Sequence, residues 1–189
     1  MAQNLLQNNA DLAGQNAITA TPSPLNVQGL VHVQTQSVSA GTAANFIGLA
    51  QYPYTNYQLV YSCSESAGPN LVIQGSSNNG SSYINSNYLS GALYCAYNAS
   101  SYNNTQTTTG CLTILGSTLG NSATVQIFSV NTNVSYFTVN GYGCTLAPGP
   151  VPYVSISTGN YASLVIFNAF RVVCSSGTMT GTFSLYGYT

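Results

Sequence analysis

The sequence predicts an all-β fold: a single antiparallel β-sandwich or jelly roll over residues 27–189, preceded by an extended N-terminal arm over residues 1–26. Three observations carry this. Apolar and polar residues alternate with a period of two in run after run, the pattern of strands buried on one face. Turn residues interrupt these runs at spacings of about 8–12 positions, as in sandwiches and barrels. No stretch repeats its apolar residues at the i, i+3, i+4, i+7 spacing that an amphipathic helix needs.

The arm is rich in Asn and Gln, poor in large apolar side chains, and contains Pro22 and Pro24. Val27, Gly29, Val31 and Val33 then alternate with Gln28, Leu30, His32 and Gln34, a half-buried first strand whose pattern runs on to Val38. Asn45–Ala50 is a shorter candidate. Tyr57, Leu59, Tyr61 and Cys63 alternate with Gln58, Val60, Ser62 and Ser64 in the clearest strand of the chain. Leu71–Gln74, Ser82–Leu89, Ala92–Tyr97 and Cys111–Leu115 follow as short strands. Val125 and Ile127 alternate with Thr124, Gln126 and Phe128, and Val134–Val139 comes next. Pro152–Ser157, Leu164–Cys174 and Thr180–Tyr186 complete the set; the second of these is apolar enough to be buried on both faces. Asn79-Gly80 and Asn140-Gly141 are the dipeptides preferred by two-residue hairpin turns, where both residues take positive φ. Gly110, Gly116, Gly120, Gly159 and Gly177 mark further breaks. The segment Ala147-Pro148-Gly149-Pro150-Val151-Pro152 reads as a rigid connection, because proline cannot donate to a central ladder.

Charge is nearly absent. The 189 residues include one Lys+Arg, two Asp+Glu and one His, so 2% are charged where an ordinary domain has about 25%. With 15 Tyr, 6 Phe and 44% hydrophobic residues the chain has the apolar surface to fold, which a disordered chain lacks. One cation cannot neutralise a run of phosphates, which excludes nucleic acid as a partner. Two widely separated carboxylates cannot cage a hard metal ion, so neither a metal nor another cofactor is expected. His32 stands on the polar face of its strand and no G-x-S-x-G elbow occurs, so the chain reads as non-enzymatic. No run of about 20 apolar residues spans a membrane. Gln3, Asn4 and Gln7 to Asn9 break up any secretory signal, and Met1 reads as the start of an unprocessed chain. A surface of Asn, Gln, Ser, Thr and Tyr has almost nothing to titrate, so acid does not build up the positive self-repulsion that unfolds ordinary proteins. A net charge of −1 also leaves nothing to keep copies apart. Self-association is the expectation.

Cys63, Cys95, Cys111, Cys144 and Cys174 contain no C-x-x-C pair, and with one histidine they build no standard zinc site. They are disulfide candidates, with 15 ways to pair four of the five and one cysteine left over, read first as a buried thiol and otherwise as an intermolecular link. Arg171 lies inside an apolar run and is expected to pair with Glu65, Asp11 or backbone carbonyls as a structural ion pair. Glu65, in Ser64-Glu65-Ser66-Ala67-Gly68, is expected in a loop, solvated or holding Arg171. Asn79, Asn98, Asn103 and Asn133 open N-x-Ser/Thr sequons, as many as this composition produces by chance. A tyrosine-rich middle from Tyr52 to Tyr102 reads as half-buried sheet positions whose hydroxyls stay wet.

The composition taken over the whole chain resembles surface proteins of thermoacidophilic archaea and of the viruses that infect them. What carries the resemblance is the lack of charge, the Asn/Ser/Thr/Tyr-rich strands, the scattered cysteines and the missing helices. It implies a structural subunit of an acid- and heat-resistant extracellular assembly, foremost a jelly-roll capsid or vertex protein on a virion surface. The alternative is a pilus- or thread-like archaeal filament built by donor-strand complementation, with Val27–Val38, and Val27, Val31 and Val33 in particular, as the donor. A glycan-binding adhesin is the third reading. Partners are then copies of the chain, other proteins of the assembly, or, in the third reading, glycans.

Overall fold

A computed structural model describes residues 29–67, 70–96, 103–114, 119–147 and 151–188. The expected arm, Asp11, Val27 and Asn98 lie outside the described residues. Twelve strands follow in chain order: β1 Val31–Gly41, β2 Ala43–Phe46, β3 Asn56–Glu65, β4 Leu71–Ser76, β5 Tyr88–Ala96, β6 Asn103–Thr107, β7 Cys111–Ile114, β8 Asn121–Phe128, β9 Thr138–Ala147, β10 Val151–Tyr161, β11 Ala169–Cys174 and β12 Met179–Tyr188. They form an eight-stranded sheet, ordered β1-β12-β3-β8-β9-β10-β5-β6, and a four-stranded sheet, ordered β2-β11-β4-β7. Every ladder between these strands is antiparallel. The expected antiparallel sandwich is present, with twelve strands where a simple jelly roll has eight.

Period-two alternation builds the core. Tyr57, Leu59, Tyr61 and Cys63 of β3, Ala123, Val125 and Ile127 of β8, and Phe183 and Leu185 of β12 point inward from the large sheet. They meet Phe46, Leu71, Ile73, Phe170 and Val172 of the small sheet. Aromatic pairs join neighbouring strands within each layer: Tyr61 stacks on Phe183 across β3 and β12 at 5.2 Å between ring centres, and Phe46 tilts against Phe170 across β2 and β11 at 5.1 Å. Tyr57, Tyr61 and Tyr88 are fully inside rather than half-buried, and their hydroxyls are bonded instead of wet. Tyr61 Oη lies 2.8 Å from Thr113 Oγ1, while Tyr88 Oη accepts the Gly75 N–H at 2.8 Å.

The two sheets approach most closely where β7 crosses β9 and β10. There the large sheet presents Gly141, Ser155, Ser157 and Gly159 inward. A Cβ on Gly141 would sit 2.5 Å from the Thr113 carbonyl oxygen and 2.6 Å from Ser157 Oγ. Ser157 Oγ donates to that carbonyl at 2.6 Å. Backbone therefore packs nearly on backbone, and only small residues fit between.

Several expectations are corrected. Asn140-Gly141 is no turn: both residues sit inside β9, and the glycine serves the close approach of β7. Gly159 lies within β10, where a Cβ would meet Ser90 Oγ of β5 at 2.5 Å and Cys111 Sγ of β7 at 3.1 Å. Asn79-Gly80 does turn, with φ of 55° and 85°, but within the β4–β5 loop rather than between paired strands. Ser82–Leu89 and Ala92–Tyr97 are replaced by the single strand β5 running through Gly91, and Val134–Val139 becomes a strand only from Thr138. Leu164–Cys174 narrows to β11. Pro152 belongs to β10, opposite Leu146. Leu146 gives its N–H to Gly120, away from β10, so Pro152 faces the β5 side, one residue beyond the last pair, Ala96–Tyr153.

Candidate functional site

Three places hold the chemically distinctive residues. The first is buried. Glu65 ends β3 with 3% of its surface exposed, not in a solvated loop. Its Oε1 accepts Asn121 Nδ2 at 2.6 Å, and Cys63 and Cys174 lie in the same interior end of the sandwich. Burial, reinforced by the Glu65 and Cys174 charges, pushes the Cys63 thiol up to about 12. Burial followed by Glu65 raises Cys174 to about 11, and burial alone raises Cys111 to about 12. A nucleophilic cysteine needs the opposite shift, toward the thiolate. These groups are held protonated and inert.

The second place is Arg171 on β11. Its Nε and Nη2 both donate to Gln74 Oε1 on β4, at 2.9 and 2.7 Å, and its guanidinium lies 4.5 Å from the centre of the Tyr83 ring. Gln74 in turn donates to the Thr109 carbonyl at 2.7 Å. The expected pairing with Glu65 does not form: Arg171 is clasped by an amide and an aromatic face, and Glu65 by Asn121. Burial raises the Tyr83 hydroxyl's pKa and the nearby Arg171 opposes it.

The third place is the outer face of the large sheet, and it divides in two. Over β12, β3 and β8 the outward residues are mostly polar, among them Thr180, Thr182, Ser62 and Ser122, with Val60, Phe128 and Tyr186 the apolar exceptions. Over β9, β10 and β5 two adjoining rows are apolar. Tyr142, Ile156 and Leu93 stand in one row across the three strands, and Cys144, Val154 and Cys95 in the next. Leu146 extends the patch at one end, while at the other a polar row of Asn140, Thr158 and Gly91 separates it from Leu89. β10 is inverted relative to an ordinary sandwich strand. Val154 and Ile156 are 61% and 65% exposed, whereas Ser155 and Ser157 between them are 1% and 2% exposed.

Beside this patch an open trough of about 620 Å³ runs between β10 and β6, lined by Leu89, Gly91, Gln106, Thr107 and Thr158 among others. A second hollow of about 310 Å³ continues it past Leu93 and Ile156. Gly91 forms the floor they share. The lining holds amides, hydroxyls and aliphatic carbons, with no ionisable acid or base.

All five cysteines are present as thiols. Cys95 and Cys144 flank Val154 from the two neighbouring strands, which places them about 9–10 Å apart, beyond the 4.4–6.8 Å Cα span that a disulfide bridges. His32 is exposed, with Nε2 2.8 Å from Thr35 Oγ1 and its ring edge-on to Tyr186. Of the sequon asparagines, Asn79, Asn103 and Asn133 are exposed. Asn79 is also tied down, its Oδ1 accepting the Gly48 N–H at 2.6 Å. Val31 and Val33 belong to β1, an edge of the large sheet paired to β12. Among the described residues no three His, Cys, Asp or Glu side chains gather as metal ligands, and no helix is long and apolar enough to cross a membrane.

Sequence reasoning missed the apolar outer face. Alternation identifies which residues of β10 share a face but not which face is covered. The signal lay in the Gly and Ser positions beside it, which mark where another backbone approaches. No protein-family model matches the chain, and no curated protein matches it.

Proposed function

We propose that the protein is a structural subunit of an acid-resistant extracellular assembly, of the kind that forms a virion capsid or surface. The observation that carries this reading is the inverted strand β10, which turns valine and isoleucine outward and serines inward. A soluble monomer gains nothing from such an arrangement, whereas a subunit buries that face in its assembly. The lack of titratable surface supports the same reading, because contacts made without carboxylates survive their protonation.

Filament assembly through Val27–Val38 is the less favoured form. A donor strand has to be available to a neighbour, and eight register pairs hold Val31–Gly41 to β12 of its own chain. The deciding experiment is electron microscopy of the native material. Closed shells or particle-borne spikes are expected. Long thin fibres would replace the virion reading with the filament, and dispersed monomers would overturn both.

A further inference from the structure

Resting on the reading of the chain as an assembly subunit, we infer that the outer face of β9, β10 and β5 is where a second copy of this chain docks, sheet face against sheet face. Five side chains form it: Leu93, Tyr142, Leu146, Val154 and Ile156. Each exposes about half its surface, which together amounts to on the order of 500 Å². That matches the largest apolar patch of a typical monomer, roughly 300–600 Å², and approaches the ~800 Å² per partner of a standard stable interface.

Charge selects the occupant. Among the described residues the acid and the arginine lie elsewhere, Glu65 in the interior and Arg171 on the small sheet. The face therefore offers no counter-charge to a charged partner and desolvates no charge against a neutral one. A second copy presents the same uncharged surface, and at a net charge of −1 nothing repels it. The patch is also centred on one strand, with β10 between β9 and β5. A two-fold axis across β10 sets Val154 and Ile156 of the two copies against each other, at the ~10 Å spacing of packed sheets. Residues 1–26 of the same chain are a poorer cover. Their large apolar residues, Met1, Leu5, Leu6, Leu12, Ile18 and Leu25, do not alternate as a strand laid on this face requires.

The test compares the full-length chain with Ile156→Lys, which places a charge at the centre of the face, and with Thr182→Lys, which adds the same charge on the polar half. Sedimentation velocity over a concentration series reads association, and far-UV circular dichroism with thermal melting confirms that each variant is folded. The wild type is expected to self-associate. Ile156→Lys should weaken that association by about 100-fold or more, and Thr182→Lys by no more than about 3-fold. Because a misfolded variant would be uninformative, maleimide labelling of the wild type provides a second readout. Cys144 should react slowly in the assembled state and quickly after dilution to monomers. If the wild type associates while Ile156→Lys associates equally well, or Cys144 reacts equally fast in both states, this docking face is refuted and the assembly reading stands. A wild type that remains monomeric with a reactive Cys144 overturns both. A monomer with Cys144 shielded means that the chain covers the face itself, and refutes the second copy.

Discussion

Raising the pH should unfold this protein far more readily than lowering it. Burial pushes Cys63 and Cys111 each from an ordinary value near 9 up to about 12. Tyr57 is pushed from 10 up to about 12, and Tyr61 is raised well above 10. Below pH 9 both the folded and the unfolded chain carry these protons, so the groups cost the fold nothing. Above that, the unfolded chain releases protons that the folded chain keeps, and stability falls with pH until the folded thiols titrate near 12. Each pH unit costs about 1.4 kcal/mol per group. By about pH 11 the two thiols alone remove on the order of 5 kcal/mol, against the ~5–15 kcal/mol of a typical domain, and the two phenols act in the same direction. Urea unfolding under reducing conditions at pH 7, 9, 10 and 11, read by circular dichroism, measures the loss. Near-ultraviolet tyrosinate absorbance should show phenols that ionise only on unfolding. Equal stability at pH 7 and 11, or tyrosines that all titrate at 10 in the folded state, would refute the argument.

Other outcomes follow from single sites. Toward acid, unfolding free energy should stay nearly flat between about pH 2 and 7, because Asp11, Glu65 and His32 are the few side chains able to link folding to protons there; a steep transition above pH 3 in the same urea series would contradict this. Two glycines on the strands that flank β10 should respond to alanine with opposite signs in thermal melts. Gly141→Ala drives a methyl against the Thr113 carbonyl and should cost about 1–3 kcal/mol. Gly91→Ala meets nothing closer than the Thr105 carbonyl oxygen at 3.4 Å and should gain up to about 0.5–1 kcal/mol. Arg171→Ala removes two hydrogen bonds to Gln74 and the stack on Tyr83, and should cost about 1–3 kcal/mol. A double-mutant cycle with Tyr83→Leu separates the stacking share, expected at about 0.5–2 kcal/mol.

The strands that were plain in the sequence are those with a conventional division of faces. β3, β8 and β12 bury their apolar positions against the small sheet and leave Ser, Thr and Gln outside, so periodicity alone located them. β6, Asn-Asn-Thr-Gln-Thr, has no apolar residue and gains its order only by pairing with β5. Asn140-Gly141 obeyed the turn rule in composition, yet its glycine answers a long-range demand, the passage of β7 overhead. Glu65 and Arg171 illustrate the same limit. Opposite charges in a nearly uncharged chain suggested a pair, but β3 and β11 belong to different sheets and carry their side chains to different surroundings. Local pattern reports a strand's own alternation; which face is covered depends on partners distant in sequence.

The burial of Glu65 and the clasping of Arg171 have an electrostatic consequence for the particle as a whole. With the described acid inside and the described guanidinium folded over an amide and a ring, Debye screening has almost nothing on this surface to act upon. In the proposed assembly, sodium chloride would leave the attraction between two such molecules nearly unchanged, while sulfate, excluded from apolar surface, would strengthen it. Contact between copies would then be governed by hydration rather than by the ionic strength of the surrounding medium.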